Sequence, residues 1–108
     1  MYEPRVHHWQ HWNDADGNPE GGTSYGPGYT IAWQRGPLGR GADRVAPNGA
    51  FVESILRACA DRIEFYQSSR FNCDDNAEAL FHILAACEAL DRRTKAREAR
   101  GVEGTHVA

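Results

Sequence analysis

The chemistry available to this chain is concentrated in arginine. Eleven of its twelve basic residues are Arg, and Lys95 is the single Lys. A guanidinium presents a planar fork of donors that suits phosphate and carboxylate, and it stacks on flat rings. Five basic residues fall within Asp91-Arg-Arg-Thr-Lys-Ala-Arg-Glu-Ala-Arg100. On a helix Arg93 and Arg97 stand one step apart on one face, which makes them candidates for holding phosphate. The same charges would complement the dipole at a helix C-terminus, and that simpler role suits their position too. GC-rich coding also favours Arg, Ala and Gly.

Other constellations are weaker. His7-His-Trp-Gln-His-Trp12 invites a metal reading, but no carboxylate or Cys stands at a telling distance from it. Its alternation of Val6, His8, Gln10 and Trp12 equally suits an aromatic strand or arm within Met1–Trp12. His82 lies beside an apolar helical stripe and reads as a helix residue, not a base. Ser54, Ser68 and Ser69 lie in no nucleophile elbow. Asp74, Asp75 and Glu78 read as the acidic start of a helix. The glycines form neither a phosphate loop nor a dinucleotide fingerprint. No catalytic set, metal or cofactor is expected, and nothing argues for an enzyme.

At 108 residues the chain is expected to form a single domain with a modest core, which oligomerisation would assist. Its formal net charge of −3 gives no general affinity for DNA or other polyanions. Cys59, Cys73 and Cys87 are odd in number, and no CxxC spacing occurs. Cys59 and Cys87 fall on apolar helical faces, so buried free thiols in a reducing, cytosolic compartment are expected. Neither a membrane span nor a signal-peptide core is apparent.

Two helices must position these groups. Val52, Ile55, Leu56, Cys59, Ile63 and Tyr66 recur at helical spacing and predict a helix from about Ala50 to Tyr66, capped by Asn48. A polar break over residues 67–75 follows, with Asn72 and Asp74 as caps. Ala77, Leu80, Phe81, Leu84, Cys87 and Leu90 predict a second helix from about Asp75 to Arg100, stopped at Gly101. So short a connection implies an antiparallel pair. Upstream, Tyr29, Ile31 and Trp33 alternate with Thr30, Ala32 and Gln34, which is the pattern of a strand. Asn13 to Gly28 reads as a mobile connection or hairpin tip, with Asp16-Gly17 as a turn. The expected fold is α+β: a small N-terminal antiparallel β-sheet followed by a long C-terminal antiparallel α-helical hairpin. The β-rich and loop region would occupy about 1–47, the hairpin about 48–101 and a tail 102–108.

The stretches Phe65-Tyr-Gln-Ser-Ser-Arg-Phe-Asn-Cys-Asp-Asp-Asn76 and Leu90-Asp-Arg-Arg-Thr-Lys-Ala-Arg-Glu-Ala-Arg-Gly-Val-Glu-Gly-Thr-His106 are more specific. With the Trp33-Gln-Arg-Gly-Pro37 turn, they resemble the first-described Thoeris anti-defence family of bacteriophages. That family shares its hairpin domain with certain anti-CBASS proteins. The likeness runs over roughly Tyr29 to Thr105, and RxARGVEGT is its most specific part.

The resemblance implies a sponge acting in the host bacterial cytoplasm. Such a protein holds an immune messenger without cutting it. For Thoeris this is a cyclic ADP-ribose isomer, glycocyclic ADP-ribose; some members also hold CBASS cyclic trinucleotides at a separate site, as dimers or hexamers. Carried over by position, the base-stacking aromatic falls on Tyr66, where Phe is usual, and the pocket asparagine on Asn76. The trinucleotide arginines fall on Arg93 and Arg97. A loop arginine also contributes, and Arg35, Arg40 and Arg44 all fit that role. The Gly-rich loop or the Val102–His106 tail would serve as a lid. These residue types match what a sponge requires: an aromatic plate, amide donors and arginines for phosphate. The alternative is a helical-hairpin interaction or scaffold module, which leaves Tyr66, Asn76 and the arginine-rich end without a role.

Overall fold

The computed structural model describes residues 6–108. The part of the expected N-terminal arm before Val6 lies outside the described residues. The chain divides into two compact units. One comprises the residues up to Phe51 together with Val102–Ala108, and the other is Val52–Gly101.

The first unit is built on a three-stranded antiparallel sheet in the order β1-β2-β3, with β1 at His8–Asn13, β2 at Pro19–Gly26 and β3 at Tyr29–Trp33. β1 takes the strand option of the two its sequence allowed. β2 overturns the expectation of a mobile connection between Asn13 and Gly28. Its Gly21-Gly22 pair lowers strand propensity, yet β2 gains ladder partners on both sides from flanking strands rich in rings. Gly22 faces His11 on one side and Trp33 on the other. A Cβ there would collide with the Gln10 carbonyl oxygen, so only glycine permits this approach. The Asp16-Gly17 turn forms as expected. The Asp14 carboxylate accepts the backbone N–H groups of Asp16 and Asn18, each at 2.9 Å.

After β3 the chain turns back on itself. Ala50 pairs in parallel with Trp33, and its N–H donates to the Ala32 carbonyl at 2.8 Å. Asn48 is therefore not the helix cap expected of it. Its Oδ1 accepts the Arg35 N–H at 2.8 Å, and its own N–H donates to Gln34 Oε1 at 2.8 Å. The tail returns to this unit. The Gly39 N–H donates to the Gly104 carbonyl at 2.9 Å, and Arg40 Nη1 donates to the Glu103 carbonyl at 2.9 Å.

The second unit is the hairpin, with α1 at Val52–Gln67 and α2 at Asp74–Ala99. The observed α+β class agrees with expectation. The packed face of α1 is rotated from the expected stripe. Ala60 is fully buried and Ile55, Leu56, Ile63 and Gln67 are half-buried, whereas Val52, Cys59 and Tyr66 are exposed. The small Ala60, and not the larger Cys59, is the residue that α1 buries. The expectation that Cys59 is buried thus fails, while Cys87 is half-buried. On α2 the half-buried line runs through Asn76, Leu80, Ile83, Leu84, Cys87, Leu90 and Arg97, and it leaves Phe81 exposed at 68%. The α2 cap is Cys73, whose Sγ accepts the Asn76 N–H, and not Asn72 or Asp74. The helix ends before Gly101, whose φ of +73° is the left-handed conformation expected there.

Candidate functional site

The turn between the helices is closed by a reciprocal clasp. Gln67 Nε2 donates to the Cys73 carbonyl at 3.1 Å, and the Cys73 N–H donates to Gln67 Oε1 at 3.0 Å. Ser69 Oγ donates to the Tyr66 carbonyl, and Asn72 Nδ2 donates to the Ser69 carbonyl at 2.8 Å. The polar residues of this break satisfy the backbone groups that the ends of α1 and α2 leave open. Tyr66 precedes Gln67 and Asn76 lies one turn after Cys73, so the clasp sets both residues at this end of the hairpin.

Asn76 is half-buried on the seam side of α2. Among the described residues, its side-chain amide makes no hydrogen bond within the chain, while its backbone N–H donates to Cys73 Sγ. Its nitrogen and oxygen are not buried, so two donors and an acceptor stay open to water or to a ligand. Tyr66 is 40% exposed. Its ring lies beside Phe65, with centroids 6.1 Å apart at 59°. The Arg62 guanidinium covers it at 4.9 Å from the centroid, and Arg62 Nε donates to the Tyr66 hydroxyl at 3.2 Å. The extra hydroxyl noted in the sequence therefore has a local task, and Arg62 is a neighbour that sequence reasoning missed. Its i,i+4 spacing from Tyr66 was the available signal.

Arg93 and Arg97 lie elsewhere. Both are on α2, and seventeen residues from Asn76 to Arg93 at about 1.5 Å each place them about 26 Å along the helix. Within one chain these arginines and the Tyr66–Asn76 end cannot touch one small ligand. Arg93 is exposed and Arg97 is half-buried. Lys95 between them pairs with Asp91 at 2.8 Å, and this hydrogen bond and charge raise the lysine pKa.

The loop arginines divide by what they already hold. Arg44 grips Glu103 with two bonds, Nη1 to Oε2 at 2.7 Å and Nη2 to Oε1 at 3.2 Å. Arg40 is 4.0 Å from the same carboxylate. The Arg35 guanidinium sits 5.9 Å from the Trp12 ring centroid. In this conformation the Val-Glu-Gly-Thr segment is fastened to the loop by these bonds and is not a free lid. His106 Nε2 lies 4.0 Å from Asp14 Oδ2.

His8 stacks on Tyr25 at 5.1 Å and His7 lies 4.8 Å from Trp9, ring to ring. Together with Gln10 and Thr23 they line an open depression of about 450 Å³. Among the described residues no three His, Cys, Asp or Glu side chains come together as a metal site. His82 Nε2 lies 3.6 Å from Glu78 one turn away, both exposed, as suits a helix-surface pair. No described helix is long and apolar enough to cross a membrane.

No protein-family model matches the chain. It is 40% identical over 77 residues to "Thoeris anti-defense 1" of Bacillus phage SBSphiJ7. The aligned stretch takes in 71% of this chain and 51% of that protein, so the chain spans about half the length of the relative it matches. The chain thus resembles the Thoeris anti-defence family, as its hairpin residues indicated.

Proposed function

We propose that this chain is a phage anti-defence sponge. It binds and sequesters an immune signalling cyclic nucleotide, glycocyclic ADP-ribose of Thoeris, and releases it uncut. The observation that carries this reading is the unpartnered, half-buried Asn76 amide at the same end of the hairpin as the exposed Tyr66. An aromatic plate and an unused amide are what a nucleoside needs from a protein, and no proton transfer is asked of either. A sponge acts stoichiometrically, and nanomolar binding corresponds to about −12 kcal/mol. A pocket must cover most of the ligand to reach that.

A single hairpin leaves Phe65, Phe71 and Phe81 more than 60% exposed, and Ala60 is the only buried apolar residue among those described. This supports self-association, as a dimer or hexamer, as the means of closing the pocket. The distance from Asn76 to Arg93 supports a second, separate place at Arg93 and Arg97 for cyclic trinucleotides of CBASS. The exposed rings also favour a scaffold reading, so the test must separate the two. Replacing Asn76 with Trp fills the seam end without altering the clasp. In calorimetric titration with glycocyclic ADP-ribose, a sponge loses at least about 100-fold in affinity while retaining its helical circular dichroism; two unpaired polar contacts and a steric block are worth that much. Unchanged affinity, or no binding by the parent chain, would reject this site.

A further inference from the structure

We infer that Arg62 is a phosphate-binding residue of the Tyr66 end, held ready by the Tyr66 hydroxyl; this rests on the sponge reading and adds a residue to its site.

On the exposed faces of this hairpin Lys95 meets Asp91, and His82 meets Glu78, one turn away. Arg62 has no acidic residue at that spacing. The residues three and four places after it are Phe65 and Tyr66, and those before it are Cys59 and Ala58. Asp61 and Glu64 are its near neighbours in sequence but point around the helix from it. The guanidinium instead lies over two rings, 5.2 Å from the Phe65 centroid and 4.9 Å from that of Tyr66. Nε is taken up by the Tyr66 hydroxyl at 3.2 Å. Nη1 and Nη2 make no hydrogen bond or ion pair among the described residues.

Three consequences follow from elementary chemistry. The ring faces offset the positive charge only in part, so an anion is still attracted. The hydroxyl and the rings restrict a side chain that otherwise has many rotamers, which lowers the entropy cost of using it. With Nε occupied, the remaining Nη pair forms an end-on fork whose spacing matches two oxygens of one phosphate. One face of Tyr66 is already covered by Arg62, so a base stacks on the other face and its phosphate reaches the fork. The ligand class is a nucleotide that presents base and phosphate within one side-chain length of each other.

The test is a double-mutant cycle on the full chain, read by calorimetric titration with glycocyclic ADP-ribose. Arg62→Gln is expected to weaken binding about 10- to 100-fold, the worth of a charge-assisted contact. Tyr66→Phe keeps the ring and frees the arginine, and is expected to cost about 2- to 10-fold. In the Arg62→Gln background Tyr66→Phe is expected to cost nothing further. Arg57→Gln removes the same charge from the same helix and is expected to leave affinity unchanged. Binding by Arg62→Gln within twofold of the parent overturns the inference and leaves the sponge intact. An equal cost for Tyr66→Phe in both backgrounds overturns the tethering. A parent chain that binds nothing overturns the sponge and this inference together. Thermal melts of each variant separate lost contacts from lost fold.

Discussion

The sheet unit and the hairpin are held by different kinds of interaction. The sheet unit is fastened by named polar pairs: Arg44 on Glu103, Asn48 between Gln34 and Arg35, Asp14 in its turn, and Trp33 Nε1 donating to Ser24 Oγ at 2.8 Å. The hairpin has a polar clasp at its turn, a few surface pairs such as Lys95 with Asp91, and an apolar seam in which Ala60 is fully buried. Its rings face outward. The contrast is one of use: in the sheet unit Arg40 and Arg44 hold the tail, whereas in the hairpin the Asn76 amide makes no hydrogen bond among the described residues and several rings are exposed. The proposed binding function uses the turn end of the hairpin, where the Asn76 amide and the Arg62 Nη groups keep donors open to a ligand.

That contrast can be broken at its strongest point first. Ala60→Phe should destabilise the hairpin by about 1–3 kcal/mol, since the seam has no room for a ring. Urea unfolding followed by helical circular dichroism measures it, and hydrogen exchange in β1–β3 should stay as before. Glu103→Ala comes next, at about 1 kcal/mol, because it strands Arg44 and loosens the tail. Exchange should rise at Gly39 and Val102–Thr105 while α1 and α2 keep their protection; equal loosening of both units would erase the distinction between them.

A pH titration sharpens the same contrast. The Asn18 backbone N–H holds the Asp14 carboxyl below its usual 3.8, with Asn18's side chain, the Asp16 N–H and the His106 charge adding to this against desolvation. The unfolded chain therefore binds the proton more readily. The turn's contribution is full above about pH 3.8 and is lost as pH falls through the lower folded value. Asp14→Asn should remove this acid step from the sheet unit and leave the hairpin's acid response unaltered. The smallest effect on folding is expected from Phe81→Ser, within about 0.5 kcal/mol for a single chain because the ring is exposed. If copies associate through these rings, light scattering will show a lower mass for this variant.

The hairpin was the more legible half. Helical spacing of apolar residues, a glycine stop and a short polar break marked both helices to within a few residues. Its rotation was not legible, because Cys59 and Ala60 are both apolar and only their fit against α2 decides between them. β2 was hidden by its glycines, whose place in the sheet depends on the rings of β1 and β3 and not on their own propensity. Asn48 looked like a cap because it precedes the apolar run. The parallel bridge at Ala50 moved the helix start onward and left its amide to Arg35. The proposed roles of Tyr66 and Asn76 come from the resemblance alone. Arg62 stood in plain view at i,i+4 from Tyr66, yet its lack of a carboxylate partner acquires meaning only beside the ring and hydroxyl that fix it.

The most direct test of the sponge is the fate of the ligand. The purified chain is saturated with glycocyclic ADP-ribose, freed of excess, denatured by heat, and the released nucleotide identified by mass and retention time. The expected result is unaltered ligand in stoichiometric amount. A linear or hydrolysed product would make the chain an enzyme, and a chain that emerges from saturation carrying nothing would contradict the account at its centre.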